Sequence, residues 1–220
     1  MQLVTELQQV TPPLDYVVIN DGSTDNTLSI LQSNAIPYIN LPLNLGIGGV
    51  VQTGYRFALE HGYDIAVQVD GDGQHDPSLI HQLVRPLLQD ETDVVIGSRF
   101  LHADGYKSTF MRRLGINWIS HIICLCSGIR IYDTTSGFRA VNRRMIEFYA
   151  QYYTQDYPEP EAILNAALCG YRLLEVPTTM RERTGGTSSI NALRSVYYMI
   201  KVTLALLICR MSSLPRRNDA

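Results

Sequence analysis

The segment DIAVQVDGDGQHDP, residues 64–77, runs from an apolar stretch into an acidic, glycine-rich turn. Its apolar part predicts a buried β-strand that ends at Asp70. Asp70 and Asp72 are separated by one glycine, so their carboxylates can converge on one cation, and Gln74 could add a neutral oxygen. Mg²⁺ and Mn²⁺ take oxygen ligands, and Mg²⁺ usually binds one or two protein carboxylates and completes its shell with water and substrate phosphates. The alternative is a plain surface turn, in which Asp-Gly pairs are common.

Strand patterns alternate with helical patterns on both sides of this segment. We predict strands at 14–19, 38–41, 64–69 and 93–97, with helices between them. Such an alternation implies a parallel sheet covered by helices, in which ligands lie beyond the carboxyl ends of the strands. The acidic turns at Asp21 and Asp70 both fall at such ends. The short run Gly46-Ile47-Gly48-Gly49 has neither a complete dinucleotide-binding pattern nor a P-loop lysine, so we interpret it as helix-start packing.

Composition limits the classes of function. The chain has 220 residues and a formal net charge of −3, which argues against a nucleic-acid binder. The four cysteines lack zinc spacing and indicate buried free thiols in a reducing compartment. The first ten residues form an amphipathic helical pattern rather than a secretory signal, so we expect a protein in the cytosol or on the cytosolic face of a membrane.

The second half of the chain contains more helix. We predict a domain over residues 1–189, followed by a C-terminal apolar helix and basic tail over 190–220. The apolar run 196–209 is too short to span a bilayer, which needs about 20 residues. It could lie at a membrane interface, with basic residues near anionic headgroups, or form a contact between copies of the chain. The alternative is a helix buried against its own domain.

Two further groups of residues have functional and structural interpretations. Asn20 and Asp21 end the first predicted strand just before Ser23, where they could bind a nucleobase or ribose or simply cap a helix. Arginines can bind phosphate oxygens through paired hydrogen bonds, or can remain solvated on the surface. The candidates are Arg99, Arg112, Arg113, Arg181 and Arg183.

Together these motifs resemble family 2 glycosyltransferases of the GT-A fold, within the group of dolichol-phosphate mannose synthase-like and bacterial polyprenyl-phosphate enzymes. The matching segments occur in the same order over roughly residues 16–190. They are NDGSTDNT, NLGIGGVVQTGYRFA, VDGDGQHDP, VVIGSRF, TTSGFRAVNRRMIE, GYRLLEVP and RERTGGTSSI.

The resemblance implies an α/β fold with a mixed, Rossmann-like sheet flanked by helices, and an inverting transferase that needs Mg²⁺ or Mn²⁺. A UDP- or GDP-sugar would be the donor and a polyprenyl phosphate the acceptor, for synthesis of cell-envelope glycans at the inner face of the membrane. The implied metal ligands are Asp70, Asp72 and Gln74, and the implied catalytic residues are Asp72, Glu161 and Arg183. The implied donor contacts are Asn20, Asp21, Ser23, Asp70, Gly71 and Ser188, and the implied acceptor-phosphate contacts are Arg99, Arg112 and Arg113.

The chain departs from this family pattern in two places. Family members normally begin with a strand and turn before the first helix, and this strand is missing here. The segment YPEPEA, residues 157–162, makes the acceptor-side carboxylate ambiguous, because Glu159 competes with Glu161. A saccharide-hydroxyl acceptor, a non-catalytic scaffold and, as a minor option, a nucleotidyltransferase therefore remain alternatives.

Overall fold

Six strands form two sheets in residues 1–101, 110–181 and 192–211, the part of the chain that the computed structural model describes. In chain order, the elements are α1 (Gln2–Gln8), β1 (Val18–Asn20), α2 (Thr27–Ser33), β2 (Tyr38–Asn40), α3 (Gly46–Glu60), β3 (Ile65–Gln68), a 3-10 turn (Pro77–Leu79), α4 (Ile80–Leu88), β4 (Val94–Ser98), α5 (Phe110–Ser127), β5 (Arg139–Asn142), α6 (Arg143–Tyr152), α7 (Pro158–Leu168), β6 (Leu173–Pro177) and α8 (Ala192–Met211).

The larger sheet is mixed, with strand order β3-β5-β4-β6. The strands β4 and β6 are parallel, whereas β5 is antiparallel to both of its neighbours. The alternation in the first hundred residues predicted parallel strands, and there β1 and β2 pair in parallel while β3 and β4 run in the same direction. The antiparallel β5 comes later in the chain and makes the sheet mixed, as the family resemblance implied. Arg139 pairs with Gln68 on one side and with Ile96 on the other, so the segment before β5 enters the sheet between the ends of β3 and β4.

The smaller sheet consists of β1 and β2, which pair in parallel. Among the described residues, β1 pairs only with β2 and β3 only with β5, so each of these strands has one edge without a strand partner. All four residues of β3 are partly exposed, whereas all five of β4 are buried. Helix α3 packs on β1. Gly54 of α3 has no side chain, which leaves room for the side chain of Ile19 of β1.

Alternate residues of β4 enter two cores on opposite faces of the larger sheet, as expected for a strand covered on both sides. Val94 and Ile96 pack with residues of α3, α6 and α7 in the larger core. Val95 packs with Phe138 and residues of α4 in the smaller one. The sheet is thus fixed between two layers of helices, and its strand ends hold the polar turns described below.

Local sequence explains two details of the helix starts. Gly48 lies in α3 where a Cβ would come within 2.6 Å of the Cα of Gln155, so the glycine-rich helix start is needed for close packing. Asp76 caps the 3-10 turn that leads into α4, because its Oδ1 accepts a hydrogen bond of 3.0 Å from the backbone N–H of Ser78. Helix α4 continues past Pro86 to Leu88. None of the helices in the described ranges is both long and apolar enough to cross a membrane.

Candidate active site

The turn that follows β3 carries the two predicted metal-binding carboxylates. Asp70 is exposed, and Asp72 is partly buried. The Oδ1 atom of Asp72 accepts a 3.0 Å hydrogen bond from the backbone N–H of Gln74, which closes the turn. Gly73 has a φ of 75°, a conformation that glycine adopts without steric cost. The turn is therefore defined by its own residues, at the carboxyl end of β3.

Both ring nitrogens of His75 lie close to Asp70. Its ring is 1% exposed and stacks on Phe138, with 4.8 Å between the ring centroids. The Nδ1 atom accepts a 3.1 Å hydrogen bond from the backbone N–H of Asp70, and Nε2 lies 3.7 Å from Asp70 Oδ2. Burial lowers the pKa of His75, while the negative charges of Asp70 and Asp72 oppose this shift. A neutral ring with no proton on Nδ1 accepts the backbone hydrogen bond, so His75 orients the backbone of Asp70.

Gly137 provides the space that the Asp70 carboxylate occupies. A Cβ at position 137 would lie 2.7 Å from Asp70 Oδ2 and 2.9 Å from Oδ1. It would also lie 3.1 Å from the side-chain nitrogen of Gln68. Our sequence analysis assigned no role to His75 or Gly137. Their presence in two of the family-matching segments was the available signal.

The pair of carboxylates suits a cation that obtains its remaining ligands from water and phosphate. Asp70 and Asp72 supply hard anionic oxygens, the type of ligand that Mg²⁺ and Mn²⁺ prefer. Within the described ranges, no three His, Cys, Asp or Glu side chains converge into a metal-binding cage. The Nε2 atom of Gln74 donates a 3.4 Å hydrogen bond to the carbonyl oxygen of Arg181, so this predicted ligand also joins the turn to the end of the segment after β6.

A buried arginine and a carboxylate lie near this turn. Arg139 is 1% exposed, and its Nε donates a 2.8 Å hydrogen bond to the carbonyl oxygen of Ser136. Both of its terminal nitrogens are buried without a hydrogen-bond partner among the described residues. Burial raises the pKa of Glu159; the positive charge of Arg139 opposes this shift, and the negative charge of Asp70 adds to it. Glu159 thus lies within the electrostatic field of both Arg139 and the acidic turn.

Glu161, to which we assigned the acceptor-side catalytic role, lies in a different environment. Burial raises the pKa of Glu161 to about 7, and the negative charge of Asp156 adds to this shift. Burial raises the pKa of Cys209 in α8 to about 12, and the negative charge of Glu161 adds to this shift. Side chains two residues apart on a helix point about 200° away from each other, so Glu159 and Glu161 face different neighbours. The structure therefore favours Glu159 over Glu161 as the carboxylate on the side of the acidic turn.

The predicted donor contacts after β1 have structural partners. Asn20 is 4% exposed, and its side-chain nitrogen donates a 2.7 Å hydrogen bond to Asn40 Oδ1 at the end of β2. Its Oδ1 accepts a 3.4 Å hydrogen bond from the backbone N–H of Ser23. Asp21 accepts hydrogen bonds of 2.6 and 3.0 Å from the backbone N–H groups of Leu45 and Gly46. The capping interpretation thus holds, but the helix that Asp21 caps is α3, more than twenty residues along the chain.

The predicted acceptor-phosphate arginines differ in exposure. Arg99 is 5% exposed, and its Nε and Nη2 donate two 2.6 Å hydrogen bonds to Asp133, which is fully buried. Arg112 and Arg113 are exposed in the first turn of α5, and the guanidinium of Arg113 lies 4.7 Å from the ring centroid of Phe100. A phosphate role for Arg99 remains a prediction, and its guanidinium already has a carboxylate partner. Arg183 and Ser188 lie outside the described residues.

Comparison with known proteins identifies the family of this chain. Residues 3–149 match the model of the family described as "Glycosyl transferase family 2". The chain is 28% identical to an undecaprenyl-phosphate mannosyltransferase of Micrococcus luteus over 84% of this chain and 79% of that protein. It is 25% identical to the polyprenol monophosphomannose synthase of Mycolicibacterium smegmatis over 91% of this chain and 79% of that protein. It is 30% identical to a UDP-N-acetylglucosamine–dolichyl-phosphate N-acetylglucosaminyltransferase of Methanococcus voltae over 62% of each.

A solved structure shows the same fold. Glucosyl-3-phosphoglycerate synthase from Mycobacterium tuberculosis, in complex with Mn²⁺, UDP and phosphoglyceric acid, superposes with a TM-score of 0.67 at 16% identity. The superposition covers 96% of this chain and 73% of that one. The mixed sheet flanked by helices is thus the GT-A fold. With that fold, and with the family match extending over the acidic turn, the chain is a glycosyltransferase that belongs to glycosyl transferase family 2.

Proposed function

We propose that this chain transfers a sugar from a nucleotide-diphosphate donor to a polyprenyl phosphate, with inversion at the anomeric carbon. The observation that carries the proposal is the turn after β3, where His75 binds the backbone N–H of Asp70, Gly137 leaves room for the Asp70 carboxylate, and Asp72 follows two residues later. Mg²⁺ is usually bound by one or two carboxylates and by substrate phosphates, and ligands of α/β sheets bind beyond the carboxyl ends of the strands.

The donor side of the site would use both acidic turns. Asp70 and Asp72, with Gln74, would hold Mg²⁺ or Mn²⁺, and the metal would neutralise charge on the departing nucleoside diphosphate. A structural neighbour of this chain contains both Mn²⁺ and UDP. Asn20, Asp21, Ser23 and Gly71 would contact the base, ribose and phosphates. Arg183 and Ser188 would approach the diphosphate from the segment after β6.

The acceptor side is inferred from the relatives and from acid–base chemistry. The relatives named above act on undecaprenyl, polyprenol or dolichyl phosphates. The second pKa of a phosphate monoester is about 6, so such an acceptor is already anionic near pH 7 and needs no strong general base. Arg112 and Arg113, together with Arg99, would attract this phosphate to the carboxyl end of β4. One direct displacement inverts the anomeric configuration.

A sugar-hydroxyl acceptor is the second candidate, and Glu159 is the observation that favours it. A hydroxyl must lose its proton during transfer, so this reaction requires a base close to the acidic turn. Glu159 lies in the electrostatic field of Asp70 and is partly buried, as a positioned base would be. Glu159→Gln would abolish transfer to a hydroxyl acceptor, whereas transfer to a phosphate acceptor would continue.

A lipid acceptor places the reaction at a membrane. We therefore propose that the chain works as a peripheral protein on the cytoplasmic face of the membrane, where nucleotide sugars and polyprenyl phosphates meet. The products would then serve the synthesis of cell-envelope glycans. Contact between two copies of the chain is an additional possibility that sedimentation analysis would detect.

The test is transfer from a panel of radiolabelled UDP- and GDP-sugars to undecaprenyl phosphate. Label should enter the organic phase from one donor, and this transfer should cease with EDTA and return with added Mn²⁺. Transfer to an oligosaccharide instead of the lipid would support the second candidate. Binding of donor and metal without transfer to any acceptor would contradict both candidates and favour a non-catalytic scaffold.

A further inference from the structure

Helices α5 and α8 each have two apolar faces, one buried and one exposed. On α8, Val202, Leu206 and Cys209 are buried in the core. A second apolar stripe on the same helix is exposed, although its residues recur at the same helical spacing of three and four. Its members are Tyr197, Ile200, Leu204, Leu207, Ile208 and Met211, which are 47–84% exposed. Soluble globular proteins rarely leave a helix apolar all round without a partner for the second face.

Helix α5 shows the same arrangement. Ile116, Ile119 and Ile123 are buried, whereas Met111, Leu114, Trp118 and Leu125 are 51–74% exposed. These exposed residues again recur at helical spacing. Eleven of the twenty large hydrophobic side chains that are exposed in the described ranges belong to these two helices, so the apolar exposure is concentrated there.

The two exposed stripes belong to one surface, which we call the α5/α8 face. The indole nitrogen of Trp118 donates a 3.0 Å hydrogen bond to Thr203 Oγ1, which links the two helices. Nearby, Gly115 leaves room for Met199. A tryptophan at the border of an apolar surface is typical of a membrane–water interface, because its ring is apolar and its N–H is polar.

The charged residues of α5 and α8 favour an anionic bilayer over a second copy of the chain as the partner of this face. The chain as a whole carries a formal charge of −3, yet α5 and α8 contain no Asp or Glu. Their charged residues are Arg112, Arg113, Arg194, Lys201 and Arg210. A symmetric dimer through this face would bring the basic side chains of two copies together, which is electrostatically unfavourable. An anionic bilayer would complement the same charges.

We infer that the α5/α8 face docks in the plane of an anionic phospholipid bilayer, with its apolar stripes inserted between the headgroups. This inference deepens the proposed function, because it names the surface through which the chain reaches a lipid acceptor. It also agrees with the geometry of the site. Arg113, in the first turn of α5, lies over the ring of Phe100 just beyond the carboxyl end of β4, so the docking surface begins beside the acceptor end of the site.

The test is cosedimentation of the full chain with vesicles of phosphatidylcholine containing 0–40% phosphatidylglycerol, without polyprenyl phosphate or donor. Binding should increase with the anionic fraction and weaken with salt. The double variant Leu204→Glu/Ile208→Glu should bind at least tenfold more weakly. Leu88→Glu is the matched control, because Leu88 is 73% exposed at the end of α4, away from this face, and should bind as the parent chain does.

Three outcomes would overturn the inference. The first is an absence of binding to anionic vesicles, and the second is equal binding by the double variant. The third is a stable dimer in sedimentation velocity that the double variant abolishes. Transfer to a short-chain, water-soluble polyprenyl phosphate separates this inference from the proposed function. The double variant should transfer at the parental rate in solution, and an inactive but vesicle-binding chain would contradict the proposed function alone.

Discussion

The carboxylate of Asp70 and the backbone of Gly137 are in such close contact that no side chain fits between them. A Cβ at position 137 would lie 2.7 Å from Asp70 Oδ2, well inside the normal contact distance. Gly137 leads into β5, which pairs with β3 along Gln68 and Arg139. The geometry of the proposed metal site therefore depends on a long-range strand pairing as well as on the acidic turn itself.

Gly137→Ala should displace the Asp70 carboxylate and impair metal binding. We expect kcat/KM to fall roughly 10- to 100-fold, equivalent to about 1.4–2.7 kcal/mol, and the Mn²⁺ concentration for half-maximal rate to rise. Gly115→Ala is the control, because its new Cβ meets only the flexible side chain of Met199. An unchanged Mn²⁺ dependence in Gly137→Ala would show that Asp70 does not need this clearance.

His75→Leu should lower activity and stability together. The substitution leaves the backbone N–H of Asp70 without its acceptor, at a cost of about 1–3 kcal/mol, and removes the Nε2 contact to the carboxylate. His75→Asn, which keeps an acceptor near the position of Nδ1, should recover part of the activity. Thermal unfolding and transfer rates would be measured for both variants. Equal rates for the two variants would contradict the orienting role of His75.

The Arg99–Asp133 pair should contribute mainly to folding. Both side chains are buried, and removal of one partner leaves an uncompensated charge, which typically costs about 3–5 kcal/mol. Arg99→Met should therefore destabilise the chain strongly in urea unfolding, while the double variant Arg99→Met/Asp133→Leu should be less destabilised. The proposed share of Arg99 in binding the acceptor phosphate would appear in addition, as a higher acceptor KM for Arg99→Met. Little change in urea unfolding would contradict the folding role.

Glu161→Gln should stabilise the protein above neutral pH. The pKa of Glu161 is raised from 4.5 to about 7, so the native chain holds this proton more tightly than the unfolded chain does. The unfolding free energy therefore decreases as pH rises from 4.5 to 7, and the penalty is complete above pH 7. Because the side chain is partly exposed, we expect a gain of about 1–2 kcal/mol at pH 8 and almost none at pH 4.5.

Thermal unfolding at the two pH values would measure this gain. Glu147→Gln is the control, because Glu147 is an exposed carboxylate that pairs with Arg143 on the surface of α6. A constant difference between Glu161→Gln and the parent chain at both pH values would contradict the raised pKa.

Local sequence was sufficient to predict the acidic turn. Residues 64–69 form an apolar run that ends at Asp70, and the glycines after it require a turn, so both strand and turn depend on neighbouring residues alone. The cap at Asp76 is local for the same reason. Local patterns could not show that Asp21 caps α3, because the capped N–H groups lie more than twenty residues away.

Other features of the site depend on contacts between segments far apart in the chain, which local patterns could not predict. The role of Gly137 depends on the antiparallel entry of β5 between β3 and β4, which an alternation of strands and helices does not specify. The choice between Glu159 and Glu161 depends on how α7 packs against α8, because both residues have similar local sequence. The apolar run of α8 likewise fitted both a buried helix and an interfacial helix, and the structure shows one buried and one exposed apolar stripe.

The measurement that tests the central claim most directly is Mn²⁺-dependent sugar transfer by Asp70→Ala and Asp72→Ala. Asp64→Ala is the matched control, because Asp64 is an exposed carboxylate just before β3, at the opposite end of the strand. Both site variants should keep the parental unfolding temperature within a few degrees and lose at least a hundredfold in Mn²⁺-dependent rate, while the control stays active. Full metal-dependent transfer by both site variants would contradict the account.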